Sequence, residues 1–424
     1  MAYEVQRLAG PVDAAVSLPG SKSYTNRALL LAALASGRST ISGALFSDDT
    51  RYMCESLGRL GVAVEQAEHE ALIAVTGEGG SFPAAAADLY VGNAGTAARF
   101  LTASLTASSG RFVLDGSERM RERPIEPLLA ALRGLGARVR SLNGTGCPPV
   151  LIEADGLPGG IATVDGAISS QFLTALLMVA PLARSSVTIA VEGELVSAPY
   201  VEMTMAIMRD FGAHSECAPD GRFHVPGQQA YASREYVVEP DASSASYFFA
   251  AAAITGGRVR VERLGSGSVQ GDLGLLEVLE QMGCAVVSTP NWIEVQGPKR
   301  LSGVDADFSR MGDVATTLLA IAPFADGPVS VRGIAQTHYE ESDRPVAAAT
   351  ELRRMGIQVE DDWDNVTVHP GKPIPTTVTT YDDHRIAMSF AVTGLAASGI
   401  RIEDPGCVAK TFPSFFATLE TLAP

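Results

Sequence analysis

Cysteine is scarce and scattered. Five occur in 424 residues, at Cys54, Cys147, Cys217, Cys284 and Cys407, and no two form a C-x-x-C pair. An odd number spread this widely argues against a disulfide framework or a zinc site, and leaves reduced thiols as the simple reading. Positive charge is also in short supply: 32 Lys and Arg face 48 Asp and Glu, a formal charge of −16. Nucleic-acid binding rests on a broad basic surface, so nucleic acid is not an expected partner. Any anionic ligand must be held by a local cluster of cations. Long uninterrupted apolar runs are missing too. The apolar stretches are broken by small and polar residues short of a membrane span, and residues 1–10 lack the charged-then-apolar pattern of a signal peptide. The expectation is a soluble, cytoplasmic protein with no membrane partner.

What is present is a recurring phrase. Residues 20–37 open with glycine and small hydroxyl residues that can cap a helix, place Lys22 and Arg27 in its first turns, and then run apolar to Gly37. Free N–H groups and the positive end of the macrodipole make such a helix start favourable for an anion. Gly92-Asn93-Ala94-Gly95-Thr96 opens a second such run that ends near Gly110, and Ser169-Ser170-Gln171 opens a third. Asp241, Asp313 and Asp382-Asp383-His384-Arg385 open the fourth to sixth. The spacing is roughly 70 residues throughout, which marks an internal repeat.

Each opening is followed by an amphipathic helix with a glycine stop, as in residues 49–64, 127–139, 201–213, 275–286 and 346–359. The sixth copy is cut short at Phe415 to Leu419. Short alternating runs, Val187 to Val191, Val259 to Val261 and Val329 to Val331 among them, read as strands. A unit of this size cannot seal its own core, so three should pack around a shared centre with the most apolar helices innermost. The chain is too long for one ordinary core. The expected fold is α/β, in two domains of three units each: residues 20–240, and a discontinuous domain of residues 1–19 plus 241–424. The strand-like Tyr3-Glu4-Val5 has no repeat of its own and is assigned to the second.

The motifs resemble those of the 5-enolpyruvylshikimate-3-phosphate synthase family along essentially the whole chain. They are Leu18-Pro19-Gly20-Ser21-Lys22-Ser23, Gly92 to Ala97, Arg121-Glu122-Arg123-Pro124-Ile125, Ser169-Ser170-Gln171, Glu341-Ser342-Asp343-Arg344, Asp383-His384-Arg385 and Ala409-Lys410-Thr411-Phe412-Pro413. The resemblance implies a two-domain fold of the inside-out α/β barrel type, acting as a monomer that closes on substrate. It implies transfer of the enolpyruvyl group of phosphoenolpyruvate to the 5-hydroxyl of shikimate 3-phosphate, with neither cofactor nor metal. It also implies a pocket at Gly95 that the herbicide glyphosate enters.

Such a donor carries a carboxylate and a phosphate, which demand several cations where water is scarce. By resemblance Lys22, Asn93, Gly95, Arg123, Gln171, Arg344, Arg385 and Lys410 bind it. Lys22, Ser23, Arg27, Ser169, Ser170, Gln171, Ser197, Tyr200, Asp313, Gln336 and Glu340 match acceptor-binding positions. Acid and base duties fall to Asp313 and Glu341, with Lys22 as a further proton donor; which performs which step stays open. His384 is either an orienting or acidic group or a hydrogen-bonded core residue. The chain departs from the family pattern at Phe100, often proline, at Gln336, often asparagine, and at Glu340, often lysine. Other readings are an enolpyruvyl transferase acting on UDP-N-acetylglucosamine or a secondary metabolite, and a silent binding protein. The first is disfavoured because Gly116-Ser117-Glu118-Arg119-Met120 lacks that family's cysteine.

Overall fold

Helices that are apolar on every face are stable only when surrounded by protein. The computed structural model describes residues 2–423, and the chain divides into two compact units, Gly20–Val238 and Met1–Pro19 with Glu239–Pro424. The first unit contains Lys22–Leu34 (α1), Asp48–Arg59 (α2), Gly95–Leu105 (α3), Glu126–Gly134 (α4), Ser170–Val179 (α5) and Pro199–Asp210 (α6). Every residue of α3 is buried, as is all of α1 from Tyr24 onward. In contrast α2 buries only one face, with Met53, Cys54 and Leu57 inside and Arg51 and Glu55 outside.

Parallel strands need a crossover, and the inner helices supply it. Ala86–Tyr90 enters α3 and pairs in parallel with Ser109–Asp115 beyond it; Gly160–Asp165, α5 and Val187–Glu192 repeat the arrangement. An antiparallel hairpin widens each pair, Arg138–Ser141 with Val150–Asp155 in the first case and Glu216–Cys217 with Phe223–Val225 in the other.

The strand beside α1 breaks this rule. Ala35–Ser42 takes its parallel partners from Tyr231–Ala232 and Glu235–Val237, at the far end of the unit. Asp13–Val16, the strand just before α1, belongs to the second unit and pairs there in parallel with Arg258–Glu262. The chain therefore passes between the units twice, after Pro19 and after Val238.

The second unit holds Ala242–Thr255 (α7), Leu275–Gln281 (α8), Ala315–Ile321 (α9), Arg344–Arg354 (α10), His384–Ala396 (α11) and Phe415–Glu420 (α12). Here α7, α9 and α11 are the buried helices, and α9 and α11 are crossovers between paired parallel strands. Val304–Asp307 and Val329–Arg332 flank α9 in parallel, and Thr376–Val378 and Ile400–Ile402 flank α11. The shortened sixth copy ends with α12, and Tyr3–Glu4 covers the open side of Ile400–Ile402.

Three local expectations are corrected. Gly37 and Gly110 do not end their helices: α1 stops at Leu34 and α3 at Leu105, and each glycine lies inside the next strand. Ala35 is already extended, with φ −75° and ψ 165°. Ser21 lends α1 its extended N-cap backbone but no side-chain bond; Thr25 Oγ1 donates to Ser21 O at 2.8 Å and accepts from Leu45 N at 3.1 Å. Asp313 lies within the 3₁₀ turn Gly312–Val314, one turn before α9, rather than capping it.

Candidate functional site

In the second unit the site grows from two helix starts built alike. Asp343 accepts from Val346 N and caps α10, whose first residue is Arg344. Asp383 accepts from Arg385 N at 2.8 Å and caps α11, whose first residues are His384 and Arg385. An N-cap carboxylate fixes the first turn of a helix, and here it fixes the turns that carry the arginines.

Arg344 is buried and uses three edges of its guanidinium. Nε donates to Asp383 Oδ2 at 2.9 Å, Nη1 to Asp313 Oδ1 at 2.9 Å and Nη2 to Glu341 Oε2 at 2.5 Å. Arg385 Nη2 lies 2.9 Å from Asp313 Oδ2, and Lys410 Nζ lies 3.5 Å from Glu341 Oε1. Burial alone would weaken the Arg344 charge, but Asp383, Glu341 and Asp313 outweigh it and push its pKa up. The cluster thus brings together Asp313, Glu341, Arg344, Arg385 and Lys410, drawn from four separate stretches of the sequence. Gln336 stands over the same turn: a Cβ on Gly312 would meet its Nε2 at 2.8 Å. Glu340 is half-buried beside Glu341.

His384 is fully buried, its Nδ1 3.6 Å from Asp383 Oδ1. Ligand atoms of Glu341, Asp383 and His384 lie within 4.8 Å of one another. Guanidinium, ammonium and backbone N–H groups already occupy the carboxylate oxygens of this trio, so a cation there would have to displace an arginine.

The sequence reading missed Asp383 and Ser342, whose Oγ donates to Asp383 Oδ2 at 2.9 Å. It also missed Asp272, which takes a hydrogen bond from Ser243 Oγ; Ser243 in turn lies 3.4 Å from Arg385 Nη2. For Asp383 a signal existed, since an aspartate precedes both Arg344 and the His384-Arg385 pair. For Asp272 nothing local distinguishes it.

Burial, then the nearby Asp313 charge, pushes Asp272 up to about 7. A raised folded-state value means that the neutral carboxyl stabilises the fold below the unfolded value, about 3.9, and that this contribution is lost as pH rises through about 7. The unfolding midpoint should therefore fall between pH 5 and 8, and Asp272→Asn should flatten that fall. An unchanged slope in the variant would show that Asp272 does not titrate there.

In the first unit Lys22 and Ser23, Gly95, and Ser170 and Gln171 lie at the starts of the inner helices α1, α3 and α5, Arg123 lies just before α4, and Ser197 and Tyr200 lie at the start of α6. Lys22 Nζ is 3.7 Å from Asp49 Oδ2, a buried partner on α2 that the sequence reading did not name. Arg123 Nη1 donates to Asn93 O at 3.2 Å and to Asn93 Oδ1 at 3.3 Å. A Cβ on Gly95 would sit 2.8–3.0 Å from the Arg123 guanidinium. A side chain at that position would have to push the Arg123 guanidinium aside.

Arg27 is buried with no carboxylate within ion-pair distance among the described residues. Its Nε donates to Thr204 Oγ1 at 2.8 Å, Nη1 to Ser23 O at 2.9 Å and Nη2 to Tyr200 O at 3.4 Å. Phe100 lies 5.2 Å away, ring centroid to Cζ, and Tyr200 5.8 Å. Desolvation pulls the Arg27 pKa down to about 10. Burying a cation among neutral groups alone is costly, and an anion beside it would relieve that cost. Ser169 caps α5 by accepting from Gln171 N at 3.3 Å, beside the buried Ser170. Gln171 Oε1 is buried without a hydrogen-bond partner. Ser197 holds a left-handed φ of 53° just before α6.

Comparison with known proteins converges on one family. The family model described as EPSP synthase (3-phosphoshikimate 1-carboxyvinyltransferase) matches residues 7–419. A 3-phosphoshikimate 1-carboxyvinyltransferase of Trichormus variabilis is 50% identical over 406 residues, 96% of this chain and 95% of that protein. The chloroplastic one of Arabidopsis thaliana is 48% identical over 429 residues, 97% and 82% of the two chains. The EPSP synthase structure from Acinetobacter baumannii superposes with a TM-score of 0.83 at 26% identity, covering 100% of this chain and 98% of that one. With its repeats, its two helix-start arginines and this agreement along its length, the chain belongs to the EPSP synthase family.

Proposed function

We propose that this chain transfers the enolpyruvyl group of phosphoenolpyruvate to the 5-hydroxyl of shikimate 3-phosphate on the residues described above. One observation carries the assignment: Asp313 and Glu341, the two candidate proton carriers, both hydrogen-bond to Arg344. The donor's methylene must gain a proton while the acceptor hydroxyl gives one up and bonds to C2. Phosphate then leaves with its bridging oxygen, and the methyl group returns a proton as the double bond re-forms. Arg344, Arg385 and Lys410 take the donor's carboxylate and phosphate, and by resemblance Lys22, Asn93, Gly95 and Arg123 also match donor-binding positions.

An anion that captures those N–H groups competes with Glu341 Oε2 and Asp313 Oδ1 for Arg344, so donor binding and the two carboxylates are linked through one guanidinium. Glu341 serves the methylene and Asp313 the acceptor hydroxyl, with Lys22 as the proton source at the bridging oxygen. On the acceptor side Arg27 holds the carboxylate, and Ser169, Ser170 and Ser197 hold the phosphate. Ser23 joins Arg27 at the carboxylate, Gln171 and Tyr200 meet the ring, and Gln336 and Glu340 match further acceptor-binding positions.

The test is phosphate release from phosphoenolpyruvate with shikimate 3-phosphate, shikimate or UDP-N-acetylglucosamine, with the product's mass confirmed. Release with shikimate 3-phosphate alone is expected. Release only with another acceptor would overturn the acceptor assignment and make Glu340 the first residue to revert to lysine.

A further inference from the structure

A fully buried carboxylate lies outside all the roles above. Glu351, on the last turn of α10, is 0% exposed. Both its oxygens accept from Arg354 Nη1, at 2.8 and 2.6 Å. It further accepts from Thr379 N at 3.2 Å and from Tyr381 Oη at 2.9 Å. Arg354 reinforces the same grip, donating to Thr377 O at 2.9 Å and lying 3.3 Å from Thr379 Oγ1. The far end of α10 holds the same loop through Arg344 and Asp383.

The gripped loop is strained. Tyr381 and Asp382 are consecutive non-glycine residues at φ 56° and 54°, a left-handed conformation that side chains disfavour. Such a turn persists only where its surroundings over-determine it. Its next residues are Asp383, the cap, and then His384 and Arg385. Tyr381 is 39% exposed, so its ring contributes little core packing, yet its hydroxyl reaches inward to a buried carboxylate. That contact, with burial, pushes the Tyr381 pKa up to about 12.

We propose that Glu351 and Tyr381 are positioning residues that latch the strained turn and so hold Arg385 and Asp383 in register with Arg344. The inference rests on the assignment of Arg385 and Arg344 to the donor. Tyr381→Phe removes the latch while keeping the ring. It should raise the KM for phosphoenolpyruvate about tenfold, because the turn no longer has a fixed energy minimum. The KM for shikimate 3-phosphate should stay within about twofold. In Tyr381→Phe/Asp382→Gly, glycine holds the left-handed backbone without penalty, and at least about threefold of the loss should return.

A merely structural hydroxyl would shift both KM values together, or neither, and would gain nothing from glycine; either result overturns the proposal. Arg385→Ala, measured alongside, tests the underlying assignment separately. If it keeps wild-type kcat/KM for the donor, the assignment fails, whatever Tyr381→Phe does. If it loses activity while Tyr381→Phe is normal, the assignment stands and the latch falls.

Discussion

Arg385→Ala should lower turnover by about 10²–10³-fold, the cost of removing one preorganised donor from a site where negative charge develops. The protein should remain folded. Arg385 ion-pairs with Asp313, whose side chain is 25% exposed, so water can replace the lost partner at that carboxylate. The arginine itself lies 4% exposed at the start of α11, and its backbone N–H is held by Asp383 whatever the side chain. Single-turnover formation of the enolpyruvyl product, run beside a denaturation curve, separates the two effects. Turnover within about threefold of wild type would remove Arg385 from the chemistry.

Asp383→Ala should be the most destabilising single change at the site, by about 3–5 kcal/mol, because it takes the acceptor from three buried donors, one of them charged. Asp383 is 0% exposed and accepts from Arg344 Nε, Ser342 Oγ and Arg385 N. Removing it leaves a buried guanidinium edge, a hydroxyl and a helix-start N–H without their acceptor. Asp383→Asn retains the shape and one acceptor oxygen, so its loss should be smaller, with activity still reduced because Arg344 loses charge balance. Urea midpoints for the two variants decide the matter; a shift in Asp383→Ala worth less than about 1 kcal/mol would sink the account.

Much of this was readable before any coordinates. The six apolar openings mark the buried helices because a helix without a polar face has nowhere else to go. The cations in the motifs are legible because charged residues inside apolar surroundings are costly and so need a reason. Glycine stops are misleading: Gly37 and Gly110 look like helix ends, but the helices stop earlier, at Leu34 and Leu105, and the strands that hold these glycines have already begun, at Ala35 and Ser109. Ser21 occupies the N-cap position of α1 with its backbone alone, without a side-chain capping bond.

Asp272, Asp49, Glu351 and Tyr381 were invisible for a different reason. Their importance lies in which charges they touch at sequence separations of 27 to 113 residues, and no local pattern encodes that. The sequence by itself determined the repeat, the class of each helix and the supply of cations, because hydrophobic periodicity and helix-start chemistry act over a few residues. Only the tertiary structure decided which strands pair, Asp13–Val16 with Arg258–Glu262 among them. It likewise decided that Arg344 divides its edges among three carboxylates and that a strained turn is latched by a buried glutamate. Those are choices among long-range partners, made by whichever pairing satisfies every buried charge and backbone group at once.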